Sequence, residues 1–189
     1  MSRTRTFVAV DVSDGVRSRA ARLITHLRSE IKVSWVAPAN MHITLKFLGD
    51  QTDEAVAAIC RAVQEGAAAV DPFEFTCQGA GAFPDIRRPR TLWVGVTEGL
   101  EEFRQLHAAV DAALARQRFP QDRQQFRPHL TIGRVRAAGP QAQSLGEALN
   151  AYQDFDAGST VVDEVIVYAS ELAPSGPTYE VLARAPLGA

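Results

Sequence analysis

Asn40-Met41-His42-Ile43-Thr44-Leu45-Lys46-Phe47-Leu48 and Arg127-Pro128-His129-Leu130-Thr131-Ile132-Gly133-Arg134-Val135 are the two stretches whose reading decides this chain. Both are short, apolar and rich in β-branched residues, the signature of a strand. Side chains alternate along a strand. His42 and Thr44 therefore share one face, with Ile43 and Leu45 on the other; His129 and Thr131 stand likewise against Leu130 and Ile132. Each strand presents an imidazole and a hydroxyl together, backed by a face suited to a core. Polar pairs of that kind need partners or water, so they belong at a cleft rather than in a packed interior. One His-x-Thr on a strand carries little information, but a second copy in the same hydrophobic setting does.

Outward from these strands the chain divides into alternating elements. Thr6–Val12 reads as a strand, and Ser13 as the N-cap of a helix running to about Ser29, with Val16, Ala20, Leu23, Ile24 and Leu27 on its apolar face. A short strand is expected over Lys32–Val36, and a turn at Pro38 and Asn40. The first motif strand, Met41–Leu48, should end at Gly49-Asp50, and a second helix should follow from Asp53 to about Ala69. Strands are expected at Phe73–Phe83 and Thr91–Val96, flanking the loop Pro84–Arg90. A third helix spans Leu100 to Gln117 with Phe103, Leu106, Val110, Ala113 and Leu114 buried, and the second motif strand covers Arg127–Val135. A helix near Ala142–Asn150 and strands near Thr160–Val162, Val165–Ser170 and Tyr179–Ala183 complete the series. Each half thus holds a helix, a strand carrying His-x-Thr, and a second helix. That weak internal symmetry predicts an α+β architecture of two similar lobes. No linker is long or polar enough to separate independent domains, so residues 1–189 are read as one domain.

Composition narrows the function. The 189 residues are 46% hydrophobic and 22% charged, which is ordinary for a globular enzyme. No apolar run approaches membrane-spanning length, and Met1–Thr6 lacks a signal-peptide pattern, so a cytoplasmic protein without membrane association is expected. A formal charge of -2 argues against coating of long nucleic acid, so any RNA contact should be short and local. Cys60 and Cys77 have neither disulfide nor zinc spacing.

Two opposed imidazoles suit the hydrolysis of a cyclic phosphodiester. One can take a proton from water, and the other can protonate the departing ribose oxygen, because histidine titrates near neutrality. Water and leaving oxygen lie on opposite sides of phosphorus in an in-line attack. Thr44 and Thr131 hydroxyls can donate to the non-bridging oxygens as charge develops there. Neither metal nor cofactor is expected, since two isolated histidines make a poor divalent-metal site. Lys46 shares the parity of His42 and Thr44 and could line the cleft floor; Arg127 has the parity of His129 but lies at the strand's start. Phe47 falls on the core face, Trp35 and Trp93 are assigned to the core, and His26 and His107 read as structural or exposed. Arg87, Arg88 and Arg90 read as a solvated loop.

The two tetrads resemble the paired HxTx motifs of the 2H phosphoesterase superfamily. More narrowly, the chain resembles bacterial and archaeal RNA 2′,3′-cyclic phosphodiesterases, once described as 2′-5′ RNA ligases. The likeness is carried by Phe7-Val8-Ala9-Val10-Asp11, His42–Gly49 (HITLKFLG), Gly81-Ala82-Phe83-Pro84, Arg88-Pro89-Arg90 with Leu92-Trp93-Val94-Gly95, Phe126–Ile132 and Tyr179-Glu180-Val181-Leu182. It implies two pseudo-symmetric lobes, each an antiparallel sheet with helices on its outer face, and a cleft between them. It also implies opening of an RNA 2′,3′-cyclic phosphate to a 2′-phosphate, with His42 as proton donor and His129 as proton acceptor. The residues alone leave those two roles open. The resemblance further implies that Arg134 binds phosphate. Strict alternation would turn Arg134 away from His129, so that role requires a bulge, which Gly133 would permit. No obligate protein partner is implied, and a small two-lobed enzyme of this kind can act as a monomer.

Overall fold

The computed structural model describes residues 3–28, 33–136, 140–173 and 176–189, and of 140–143 the backbone alone. Strand β1 (Thr4–Asp11) buries Val8 and Val10 on one face while Phe7 and Ala9 pack on the other. Helix α1 (Asp14–Leu27) starts where Ser13 Oγ accepts the Val16 N–H, and it buries Val16, Ala20, Leu23, Ile24 and Leu27, the stripe expected from its periodicity. Strand β2 (Val33–Trp35) and a 3-10 turn (Pro38–Asn40) lead into β3 (His42–Gln51). The expected ends of the helix at Ser29 and of the strand at Lys32 lie outside the described residues.

Helix α2 (Asp53–Ala68) is capped by Thr52, whose Oγ1 accepts the Ala55 N–H. Then come β4 (Phe73–Phe83), β5 (Thr91–Glu98) and α3 (Leu100–Arg116). Residues 117–128 contain neither helix nor strand, and β6 (His129–Val135) follows. Helix α4 (Pro140–Asn150) and strands β7 (Asp156–Val162), β8 (Glu164–Ala173) and β9 (Gly176–Pro186) complete the chain. Among the described residues no helix is long and apolar enough to cross a membrane.

Among the described residues nine strands join one antiparallel sheet in the order β7-β4-β5-β6-β3-β1-β8-β9, with β2 also paired to β6. The lobes are therefore not halves of the sequence. One contains β3, β1, β8 and β9 and so draws on both ends of the chain; the other contains β6, β5, β4 and β7. They meet where the two motif strands pair antiparallel at Ile43–Leu130. Each lobe contributes its own antiparallel strands, and the two join along a continuous, weakly stitched seam. Helices α2 and α3 pack on each other so closely that a Cβ on Gly66 would stand 2.7 Å from the Val110 Cα. They and the apolar strand faces enclose the main core, which holds Ile43, Leu45, Leu130 and Ile132. The histidines lie on the opposite, open face of the sheet.

Register places a bulge at the fourth residue of each motif. Thr44 pairs with Ala9 but Lys46 with Val8, so Leu45 is an extra residue in β3. Thr131 pairs with Trp93 but Gly133 with Leu92, so Ile132 is the corresponding extra residue in β6. After each bulge the alternation inverts. Strand β3 also runs through Gly49 and Asp50 to Gln51 rather than stopping there, because a second irregularity near Leu48 lets pairing with Thr4–Thr6 resume.

Candidate active site

The pair Ile43–Leu130 sits at the centre of the seam. Carried one residue either way, this antiparallel register sets His42 across from Thr131 and Thr44 across from His129. The register thus brings the two motif strands side by side at the seam.

Both rings are held in the same way. His42 Nδ1 donates to the Asn40 carbonyl at 2.8 Å, and His129 Nδ1 donates to the Arg127 carbonyl at 2.7 Å. A carbonyl can only accept, so each neutral ring carries its hydrogen on Nδ1 and leaves the Nε2 lone pair for chemistry. In His42 that lone pair accepts from the Thr44 hydroxyl at 3.1 Å; a protonated ring would reverse the donation. The turn that supplies the Asn40 carbonyl is itself anchored. Asn40 Nδ2 donates to the Pro177 carbonyl at 2.8 Å, tying the turn to β9, and Arg17 Nη1 donates to the Pro38 carbonyl at 3.1 Å.

Burial lowers the pKa of His42 from the ordinary 6.5 to about 4; the Asn40 carbonyl and the Asp11 carboxylate oppose the fall, while Arg17 and Arg134 add to it. Burial likewise lowers His129, with the Arg127 carbonyl opposing and Arg134 assisting. Both rings are thus biased toward the neutral state in the free protein.

Arg134 is exposed beyond the bulge in β6, on the face that carries the histidines, and its charge acts on both of them and on Tyr179. The bulge that re-aims it is centred on Ile132, one residue before the expected glycine. Gly133 turns inward instead, where a Cβ would come within 2.9 Å of both Trp35 Cε3 and Val33 Cγ1. Lys46 departs from expectation. The bulge at Leu45 sends it away from the cleft; it is only 4% exposed and forms ion pairs with Asp111 at 2.5 Å and Asp122 at 3.0 Å. Phe47 inverts with it, being 66% exposed rather than in the core, and its ring lies 6.0 Å from Phe7 on the histidine side. Phe47 and Arg134 occupy equivalent positions in the two motifs. The Arg127 side chain is exposed and borders the groove beside His129, while its carbonyl orients that ring.

Several neighbours escaped the sequence reading. A cavity of about 270 Å³ beside His42 is lined by Asp11, Asn40, Tyr168, Thr178 and Tyr179. Tyr168 Oη donates to Asp11 at 3.0 Å, and burial, with that carboxylate beside it, raises the phenol's pKa. Phe7 lies 5.0 Å from the His42 ring and 5.2 Å from Tyr168, giving this lobe an aromatic floor. On the other lobe a groove of about 530 Å³ runs past His129, bordered by Phe83, Trp93, Arg104 and Gln125. Trp93, assigned to the core from its apolar strand, shares the open face with Thr91 and Gly95, because Leu92, Val94 and Val96 take the buried positions. The alternation Phe7-Ala9-Asp11 was a usable signal for the floor of the first lobe; Tyr168 and Tyr179 arrive through β8 and β9, whose pairing no local pattern announces. Among the described residues no three His, Cys, Asp or Glu side chains are grouped as a metal site would need.

Two motif strands abutting at a pseudo-twofold seam, each offering an Nδ1-anchored imidazole and a threonine, define a class of phosphoesterase. The model of the 2′-5′ RNA ligase superfamily matches residues 16–172, and the chain belongs to that family of 2H phosphoesterases. It is 37% identical to an RNA 2′,3′-cyclic phosphodiesterase of Methanothermobacter thermautotrophicus, over 94% of this chain and 95% of that protein. With the RNA 2′,3′-cyclic phosphodiesterase of Aquifex aeolicus it shares 33% identity over the full length of both. Among solved structures it is similar to a Thermus thermophilus protein (TM-score 0.81, 27% identity, covering 97% of this chain and 98% of that one). It is also similar to E. coli LigT complexed with 3′-AMP (TM-score 0.77, 25% identity, covering all of both chains).

Proposed function

We propose that this protein hydrolyses RNA 2′,3′-cyclic phosphate ends to 2′-phosphates by proton transfer between two histidines. The observation that carries the reading is the matched pair of imidazoles, each with Nδ1 donating to the carbonyl two residues earlier, which leaves Nε2 as the accepting nitrogen of the neutral ring; in His42 it meets the Thr44 hydroxyl. Full-length relatives that are RNA 2′,3′-cyclic phosphodiesterases support the substrate class.

In this mechanism neutral His129 takes a proton from water as its oxygen attacks phosphorus. The bond from phosphorus to the ribose 3′ oxygen breaks, and protonated His42 delivers its Nε2 proton to that oxygen. The product carries a 2′-phosphate and a 3′-hydroxyl, and the two rings end with their protonation states exchanged. Thr44 and Thr131 donate to the non-bridging oxygens, and Arg134 balances their charge. The assignment of donor and acceptor follows the family resemblance. It imposes a condition on His42, whose pKa of about 4 leaves it neutral in the free protein near pH 7. The anionic phosphate must supply the proton affinity on binding, since a negative charge beside an imidazole favours its charged form.

Incubating a cyclic-phosphate-ended oligonucleotide and resolving the product as 2′- or 3′-phosphate tests the reading. A 2′-phosphate formed at an undiminished rate in excess EDTA is expected; a 3′-phosphate, or loss of turnover on chelation, would refute it. A groove of about 530 Å³ beside His129, in addition to the cavity of about 270 Å³ beside His42, favours an oligonucleotide over a small cyclic nucleotide. Oligonucleotides should therefore outcompete cyclic mononucleotides in kcat/KM.

A further inference from the structure

We infer that Lys46 and Asp122 are positioning residues for His129, linking the strand of one motif to the histidine of the other. Lys46 Nζ already has a complete partner in Asp111, a buried carboxylate on rigid α3 at 2.5 Å. Compensating its charge therefore does not require Asp122, which lies 3.0 Å away on the 117–128 segment. What the second carboxylate gains is a fixed place for a stretch of chain with no helix or strand to hold it. Asp122 is held at three atoms: Oδ1 accepts from Lys46, Oδ2 from His107 Nε2 at 3.1 Å, and its N–H donates to Asp111 at 3.4 Å. Burial pushes the Asp122 carboxyl up, but the Lys46 and His107 hydrogen bonds outweigh it and hold the group below the usual range.

His107 in turn lies flat on Phe126, centroids 4.4 Å apart and planes within 4°. The next residue, Arg127, supplies the carbonyl that accepts from His129 Nδ1. A path therefore runs from β3 through Lys46, Asp122, His107 and Phe126 to the group that sets the tautomer of His129. The seam itself meets at one backbone pair, Ile43–Leu130, so this cluster is a second tie between the motif strands. The buried Lys46–Asp111 pair would leave Asp111 stranded if Lys46 were removed, so it fixes the geometry of Lys46 strongly, and Lys46 in turn fixes the half-exposed Asp122. The first lobe fixes its own carbonyl differently, through Asn40 and β9.

The catalytic consequence rests on His129 being a proton-transfer residue; the structural one does not, and the test separates them. In full-length Asp122→Asn and Lys46→Met, ¹⁵N NMR of the histidine rings at pH 7.5 should show His129 sampling both neutral tautomers while His42 keeps its hydrogen on Nδ1. In the same variants kcat should fall five- to fifty-fold with KM within threefold. If Lys46→Met does not fold, Asp122→Asn stands alone as the test, because its side chain is 41% exposed and tolerates the amide. An unchanged His129 tautomer overturns the positioning role, whatever the rate does. A changed tautomer with an unchanged rate upholds the tie and instead refutes proton transfer by His129.

Discussion

At the scale of single residues, geometry and charge make separable demands on the two histidines. Replacing either His42 or His129 with alanine should lower kcat/KM by about 10²–10⁴-fold, the usual worth of a general acid or base. Thr131→Ala should cost roughly 10²-fold, as loss of a donor to a developing oxyanion does. Steady-state kinetics on a cyclic-phosphate oligonucleotide checks both, with circular dichroism to verify folding. The pH dependence is more diagnostic. Burial lowers both rings, so the kcat/KM bell, which reports the free enzyme, should be centred below pH 6.5. The kcat bell should lie at higher pH, because bound phosphate favours the imidazolium. Coincident profiles centred above pH 7 would contradict the condition placed on His42.

Between residues and the whole molecule, the bulges are the decisive elements. Without them a strict two-residue period would put Lys46 in the cleft and Arg134 in the core. With them, Lys46 goes inward to two carboxylates and Arg134 outward to the histidines. The inward residue of the second motif is Gly133 because β2 lies against it, with Trp35 and Val33 where a side chain would start. Gly133→Ala should therefore destabilise the fold by about 1–3 kcal/mol, the range for overpacking, read from the midpoint of urea unfolding. It should also disturb Arg134, raising KM more than it lowers kcat. Phe47→Ala is the complementary case: the ring is exposed on the open face, so its loss should leave the midpoint nearly unchanged while weakening RNA binding through lost base stacking.

For the molecule as a whole, the neutral burial of His42 links the site to stability. Its folded pKa of about 4 lies below the unfolded 6.5, so the unfolded chain binds more protons between those values. Stability is then fully present above pH 6.5 and is lost as pH falls toward 4, by about 3 kcal/mol for a shift of this size. Denaturant titrations at pH 7.5 and 4.5 should show that loss in the wild type and a smaller one in His42→Gln. An equal loss in both would mean other groups govern acid sensitivity.

Much of this was legible in the amino-acid order. Periodicity located the helices and their buried stripes, as with Val16, Ala20, Leu23, Ile24 and Leu27, because a helix face recurs locally every three to four residues. Alternation placed each histidine with its threonine, because that too is local. The duplication of the motif announced two related lobes. Only tertiary structure decided the facing of the residues beyond the fourth position of each motif, such as Lys46 and Arg134. A bulge arises from register against a neighbouring strand, and β1 and β5 set that register from elsewhere in the chain. The same holds for the meeting of the motif strands at Ile43–Leu130, for the arrival of Tyr168 and Tyr179 beside His42, and for the carbonyls that orient the rings. Local sequence determined which residues could do the chemistry; long-range pairing determined which way they point.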